Sequence, residues 1–237
     1  MIKIYNDDCL KVLSEIEDES IDLVVTDCPY KIVSGGCTNE NKVFKPCSGM
    51  LNKRKDNEDE EEMDNIRKGK IFKHNDINFK DWLPSIYRVL KQNTHCYIMI
   101  NPRNLKELQE EAEKVGFTFQ QIIIWNKGNA VPNRYYMNAY EMILMLRKGK
   151  AKTINCKGTK NILDVPNIIG NKKHPTEKPV ELMEILINNS SSEGDIILDP
   201  FMGAGATGVA CKNNNRSFIG VEIDEKYFEI AQERLKM

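Results

Sequence analysis

The residues best suited to chemistry stand at the ends of two apolar runs. Ile21-Asp-Leu-Val-Val-Thr26 leads into Asp27-Cys28-Pro29-Tyr30, an acid, a small residue, a proline and an aromatic in succession. Asp195-Ile-Ile-Leu198 leads into Asp199-Pro200-Phe201-Met202-Gly203-Ala204-Gly205-Ala206-Thr207-Gly208, an acid and an aromatic ahead of a glycine turn. At the first run, the Asp27 carboxylate and a main-chain carbonyl of Cys28 or Pro29 can accept the two hydrogens of an amino group conjugated with a base ring. Accepting both favours a pyramidal nitrogen and stabilises the positive charge that develops as it attacks a methyl carbon. Pro29 fixes φ and presents that carbonyl rigidly, and the ring of Tyr30 can stack on a base drawn out of a duplex. Alone, such a motif is also what an ordinary strand end and turn look like.

At the second run, Gly203 and Gly205 let the backbone turn tightly and approach a ligand closely. Glu222, at the tip of the next apolar run Phe218–Val221, can take both hydroxyls of a ribose. Gly203, Gly205 and Gly208 satisfy G-x-G-x-x-G, which is compatible with a dinucleotide or with a turn that holds no ligand. The acidic lead-in Asp199-Pro200-Phe201 repels a pyrophosphate and suits the cationic end of S-adenosylmethionine. This weighs the site toward a methyl donor.

Taken in chain order, these segments resemble the amino-methylating DNA methyltransferases, in particular the group whose catalytic segment precedes the cofactor loop. Asp27-Cys28-Pro29-Tyr30 is similar to the family's D-P-P-Y motif, Asp199–Gly205 to its F-x-G-x-G motif, and His174-Pro175-Thr176-Glu177-Lys178-Pro179 to its H-P-t-x-K-P segment. The opening Ile4–Leu10 resembles its short first strand and following acid. The resemblance implies a catalytic set of Asp27, Cys28, Pro29 and Tyr30. It implies an S-adenosylmethionine pocket drawn from Asp8, Cys9, Asp27, Thr176, Lys178, Asp199, Pro200, Phe201, Gly203, Gly205, Thr207 and Glu222, with Asp8 on the adenine, Lys178 and Thr176 near the cofactor carboxylate, and no metal. His174 is equally compatible with plain packing. Cys28 replaces the usual proline and Asp7 the usual glycine before Asp8. Asp27, where many cytosine-N4 members carry serine, favours N6 of adenine as the target. Cytosine-N4 methylation and a catalytically silent DNA-binding module of the same fold are the alternatives.

Positioning these residues requires alternating strands and helices. Apolar runs at Ile2–Tyr5, Ile21–Thr26, Cys96–Ile100, Ile122–Trp125, Met142–Leu146, Ile196–Leu198 and Phe218–Val221 read as seven strands, mostly covered on both faces. Amphipathic stretches at Leu10–Ile16, Trp82–Leu90, Leu105–Val115, Val180–Ile187, Thr207–Lys212 and Tyr227–Leu235 read as helices. The class is α/β with a largely parallel, doubly wound, Rossmann-like sheet. The strands around Trp125 and Leu144 have no helix between them and are expected to pair antiparallel at one sheet edge.

The 237 residues suit a single methyltransferase domain. Residues 33–75, with Asp56, Glu58, Asp59, Glu60, Glu61, Glu62 and Asp64 nearly in a row, read as a charged insertion or flexible loop. Asn126–Lys178 holds eleven Lys or Arg against three acids although the whole chain carries −1. Within it, residues 126–173 are the candidate target-recognition region, with Arg134, Tyr135, Tyr136 and Arg147 as candidates for phosphate or base contact. Seven cysteines without a C-x-x-C pair read as reduced thiols. His74 and His95 carry no partner pattern, and Trp82 and Trp125 read as core anchors. No run is apolar enough for a membrane span. The expected partner is double-stranded DNA, in the cytoplasm, with the enzyme a monomer or homodimer.

Overall fold

Alternating side chains of the central strands are buried on both faces of one sheet, which is what layers it between two sets of helices. The computed structural model describes residues 1–29, 77–131, 135–150, 152–168, 170 and 177–236. By contacts, Met1–Cys28 and Asn78–Met237 form one unit and Pro29–Ile77 a second. The insertion expected at 33–75 lies outside the described residues.

The strands are β1 (Ile2–Tyr5), β2 (Ile21–Asp27), β3 (Leu90–Ile100), β4 (Thr118–Val131), β5 (Asn138–Lys148), β6 (Ile162–Asp164), β7 (Ile196–Asp199) and β8 (Ser217–Val221). Their order is β1-β8-β7-β2-β3-β5-β4-β6. Pairing is parallel from β1 through β3. β5 runs antiparallel to both β3 and β4, and β6 is parallel to β4.

On one face, Leu23, Val25, Tyr97, Met99, Ile143 and Met145 meet Leu182, Leu186, Ala210 and Cys211. These last belong to α4 (Val180–Ser190) and α5 (Ala206–Asn213), which pack on each other, and α6 (Glu225–Lys236) packs on α5. The intervening Val24, Cys96, Ile98, Leu144 and Leu146 are fully buried as well, as the period-two alternation of a strand covered on both faces requires. A second helix group is formed by α1 (Cys9–Glu15), α2 (Phe79–Val89) and α3 (Leu105–Val115). It buries Trp82, Leu83, Ile86, Leu108 and Ala112. The apolar face of a helix finds its stability in such packing more than in propensity.

The mostly parallel, doubly wound sheet is the one expected, with two differences. The strand antiparallel to its neighbours, β5, lies inside the sheet and not at its edge, because β4 and the unforeseen eighth strand β6 continue the sheet beyond it. β6 is three residues long, too short for its period to show against the surrounding polar sequence. Beyond Trp125, where the expected strand ends, the β4–β5 ladder continues through Asn126↔Tyr140 and Val131↔Asn138, with a register shift between them. Among the described residues no helix is long and apolar enough to cross a membrane.

The chain order reverses between β7 and β2. Ligands of open α/β sheets bind at the carboxyl ends of strands flanking such a point, and there stand Asp27 and Asp199.

Candidate active site

Thr26 and Asp199 join the two strand ends. Thr26 Oγ1 donates to Asp199 Oδ1 at 2.7 Å, Thr207 Oγ1 to Asp199 Oδ2 at 2.7 Å, and the Phe201 N–H to Oδ1 at 3.1 Å. Burial pushes the Asp199 carboxyl up to about 6, against the pull of these donors. Both oxygens are thus engaged by the protein, and Asp199 acts on the turn by anchoring it. Pro200 follows directly. Thr26 carried no signal in the sequence beyond its place before Asp27.

The turn itself is left-handed at Gly203 (φ 51°) and Gly205 (φ 77°), and Gly205 begins α5. A side chain is strained in that region, and glycine is not. The Gly203 N–H donates to Glu222 Oε2 at 2.9 Å, and the Asp224 N–H to Oε1 at 2.9 Å. Burial raises the Glu222 carboxyl in spite of these bonds. The Phe201 ring meets Trp82 edge-on at 5.2 Å.

Asp8 stands on the adjoining strand tip. The Glu222 N–H donates to Tyr5 O at 3.0 Å and Asn6 Nδ2 to Glu222 O at 2.9 Å, tying the ends of β1 and β8. Asp8 is the N-cap of α1, accepting the Leu10 N–H at 2.7 Å. Asp7, in place of the usual glycine, accepts the Asp8 N–H at 2.8 Å and pairs with Lys11 at 2.5 Å, so a side chain holds this turn. Cys9 is buried beside it, its thiol pushed up to about 12 by that burial.

Asp27 lies opposite Met99 at the end of β2. Lys178 Nζ is 2.5 Å from Asp27 Oδ2 and 3.4 Å from Glu141 Oε2, and Lys127 Nζ is 3.3 Å from Glu141 Oε1. Burial raises the Asp27 carboxyl, with Lys178 opposing and Glu141 assisting. Burial also acts to raise Glu141, but Lys178 and Lys127 together hold it below its ordinary value. Lys178, expected near a cofactor carboxylate, therefore faces the proposed catalytic acid. Glu141 was missed in the sequence, where an acid heading an apolar strand was the available sign. Cys28 is buried with Sγ donating to Met99 O at 3.7 Å, so it packs as well as supplying backbone, and Pro29 follows it half-buried. Tyr30, Thr176, His174 and Arg134 lie outside the described residues.

Of the basic region, the structure brings only part to this end of the sheet. Tyr136 is 92 % exposed and Tyr135 80 %, in the β4–β5 connection beyond Tyr140 and Glu141. Arg147 stands opposite His95, which stands opposite Leu23, several residues down the sheet from Asp27. Lys148 is buried, donating to Tyr87 O and Leu90 O at 2.8 and 2.7 Å and pairing with Glu19. The surplus of lysine and arginine thus overstates the surface charge. His95 is buried with Nδ1 2.8 Å from Ser190 Oγ. Trp125 is a core anchor whose Nε1–H donates to Val165 O at 2.7 Å, and Trp82 is fully buried.

A family model described as DNA methylase, of the N6/N4 methyltransferases, matches residues 21–233. The chain belongs to this family of DNA methylases.

Among its relatives, the type II methyltransferase M2.DpnII of Streptococcus pneumoniae is 32 % identical, over all of this chain and 90 % of its own length. M.HinfI of Haemophilus influenzae is 30 % identical, over 98 % of this chain and 68 % of its own. The crystal structure of the M1.HpyAVI–SAM complex superposes with a TM-score of 0.69 at 26 % identity, over 99 % of this chain and all of that one. The PvuII cytosine-N4-specific DNA methyltransferase shares the fold, with a TM-score of 0.71 at 16 % identity over 98 % of this chain and 86 % of that one. The methylase uses S-adenosylmethionine, and the residues present fit it. Carboxylates at the tips of two adjacent strands can take hydroxyl and amino donors, and the left-handed glycine turn admits close approach.

Proposed function

We propose that the methylase modifies N6 of adenine within a specific sequence of double-stranded DNA. The observation that carries this reading is the half-buried Asp27 carboxylate at the point where the sheet's chain order reverses, with a carboxylate at the first position of the catalytic motif. Kinship with type II methyltransferases supports a defined DNA sequence as substrate.

In this reading Asp27 accepts one hydrogen of the target amino group and the Cys28 or Pro29 carbonyl accepts the other, so the nitrogen lone pair points away from the base ring. The raised pKa of Asp27 makes it the better acceptor for the proton that the nitrogen must shed. S-adenosylmethionine, when bound, supplies an electrophilic methyl group on a sulfonium. Glu222 and Asp8 would hold its ribose and adenine, with Phe201 against it. Gly203, Gly205, Asp199 and Thr207 shape the turn beneath, and Cys9 and Pro200 pack around it. Thr176 would approach its carboxylate, while Lys178 stays with Asp27 and Glu141. Tyr30 stacks on the flipped base, and Tyr135 and Tyr136 meet the DNA.

The test is transfer of labelled methyl to unmethylated bacterial DNA by wild type and Asp27→Ala, with nucleoside analysis of the product. Label in N6-methyladenine that is absent with Asp27→Ala is expected. Label in N4-methylcytosine, or full activity without Asp27, would overturn the reading.

A further inference from the structure

Asp27 is held by a cation that works against the task proposed for it. A carboxylate bonded to an ammonium is a neutral pair, and a neutral pair does little for a nitrogen that is acquiring positive charge. The Lys178 ammonium, however, lies between two carboxylates, at 2.5 Å from Asp27 and 3.4 Å from Glu141. The three groups together carry one net negative charge. Lys178 has 8 % of its side chain exposed, so solvent screens this balance weakly.

We infer that Glu141 is a positioning residue for methyl transfer: by taking a share of the Lys178 ammonium, it leaves Asp27 the negative charge that the target amino group needs. Lys127, on the other oxygen of Glu141, limits that share. The inference rests on the proposed role of Asp27.

Among the described residues, the charged groups facing Asp27 are Lys178 ahead of α4, Glu141 on β5 with Lys127 behind it on β4, and Asp199 on β7, which feels the charge of Asp27. Removing the Glu141 charge commits Lys178 to Asp27 and favours ionised Asp27. Removing Lys127 strengthens the hold of Glu141 on Lys178 and disfavours it. The two changes act in opposite directions on one titration, which loss of packing does not do.

The experiment measures kcat against pH for the full chain with S-adenosylmethionine and DNA. Glu141→Gln is expected to move the acid limb to lower pH and to lower the plateau on the order of tenfold, the scale of losing one charged partner. Lys127→Met is expected to move the acid limb to higher pH. Binding of S-adenosylmethionine reports on folding, and if Glu141→Gln fails to bind it, Lys127→Met decides alone. Acid limbs that stay in place, or move in the same direction, overturn the inference. Asp27→Ala is run in parallel: activity in that variant refutes the role of Asp27 itself, whereas an inactive Asp27→Ala with unmoved limbs refutes only the role of Glu141.

Discussion

The Arg234 guanidinium, in the last helix, lies 2.8 Å from Glu177 Oε1, and the same nitrogen donates to Ala204 O at 2.7 Å. One side chain thereby fastens the residue before Lys178 to the middle of the glycine turn. Both partners are largely buried, at 12 % and 6 % side-chain exposure. Removing one member of a buried pair costs about 3–5 kcal/mol, because the other keeps its desolvation penalty. Arg234→Ala is therefore expected to lower stability by that order in urea denaturation and to raise the KM for S-adenosylmethionine. Arg234→Lys is expected to recover only part of the loss, since an ammonium lacks the planar fork. Wild-type stability in Arg234→Ala would show the contact to be idle.

Gly208 is the third glycine of the fingerprint, and its role is packing. A Cβ there would stand 2.7 Å from Phe218 Cε1 and 3.0 Å from Leu235 Cδ2. Overpacking of this kind costs about 1–3 kcal/mol. Gly208→Ala should lower the unfolding free energy by that amount, read as a lower urea midpoint with an unchanged slope of the transition.

Asp199 predicts a pH dependence of stability. Its carboxyl is raised from 3.8 to about 6 by burial, so the folded chain holds this proton over a range in which the unfolded chain has lost it. Its contribution to stability is full below the unfolded value, declines as pH rises toward about 6, and stays low above it. The change is on the order of 2–3 kcal/mol. Subtracting an Asp199→Asn series from the wild-type series, by urea denaturation between pH 4 and 8, should isolate this decline. A difference that is flat across the range would exclude it.

Tyr136, 92 % exposed at the catalytic end, is expected to contact DNA. A stacking aromatic contributes roughly 1–3 kcal/mol per base. Tyr136→Ala should raise the KM for DNA about tenfold or more and leave the affinity for S-adenosylmethionine unchanged. A shift in cofactor affinity, with the KM for DNA intact, would place this loop elsewhere in function.

The helices and strands that hold the site were legible because each announces itself within a few residues. Leu105–Val115 appears with the expected bounds, and Ile21–Asp27 is apolar enough to be read as a strand buried on both faces. β6 was not legible, since three residues hold no period. The internal place of β5 was hidden too, because the partners of a strand are not written next to it.

The sequence by itself determined the family, through three motifs in order. It also determined the alternation of strand and helix and the need for glycine at 203 and 205, since these follow from local backbone sterics and side-chain type. Only the tertiary structure decided that Lys178 meets Asp27 across 151 residues and that Thr26 meets Asp199 across 173. It alone decided that Glu141 shares the same ammonium, that Arg147 stands away from the site, and that Lys148 is buried. Charges act through distance in space, and that distance is set by which strands lie side by side at the point where the chain order reverses.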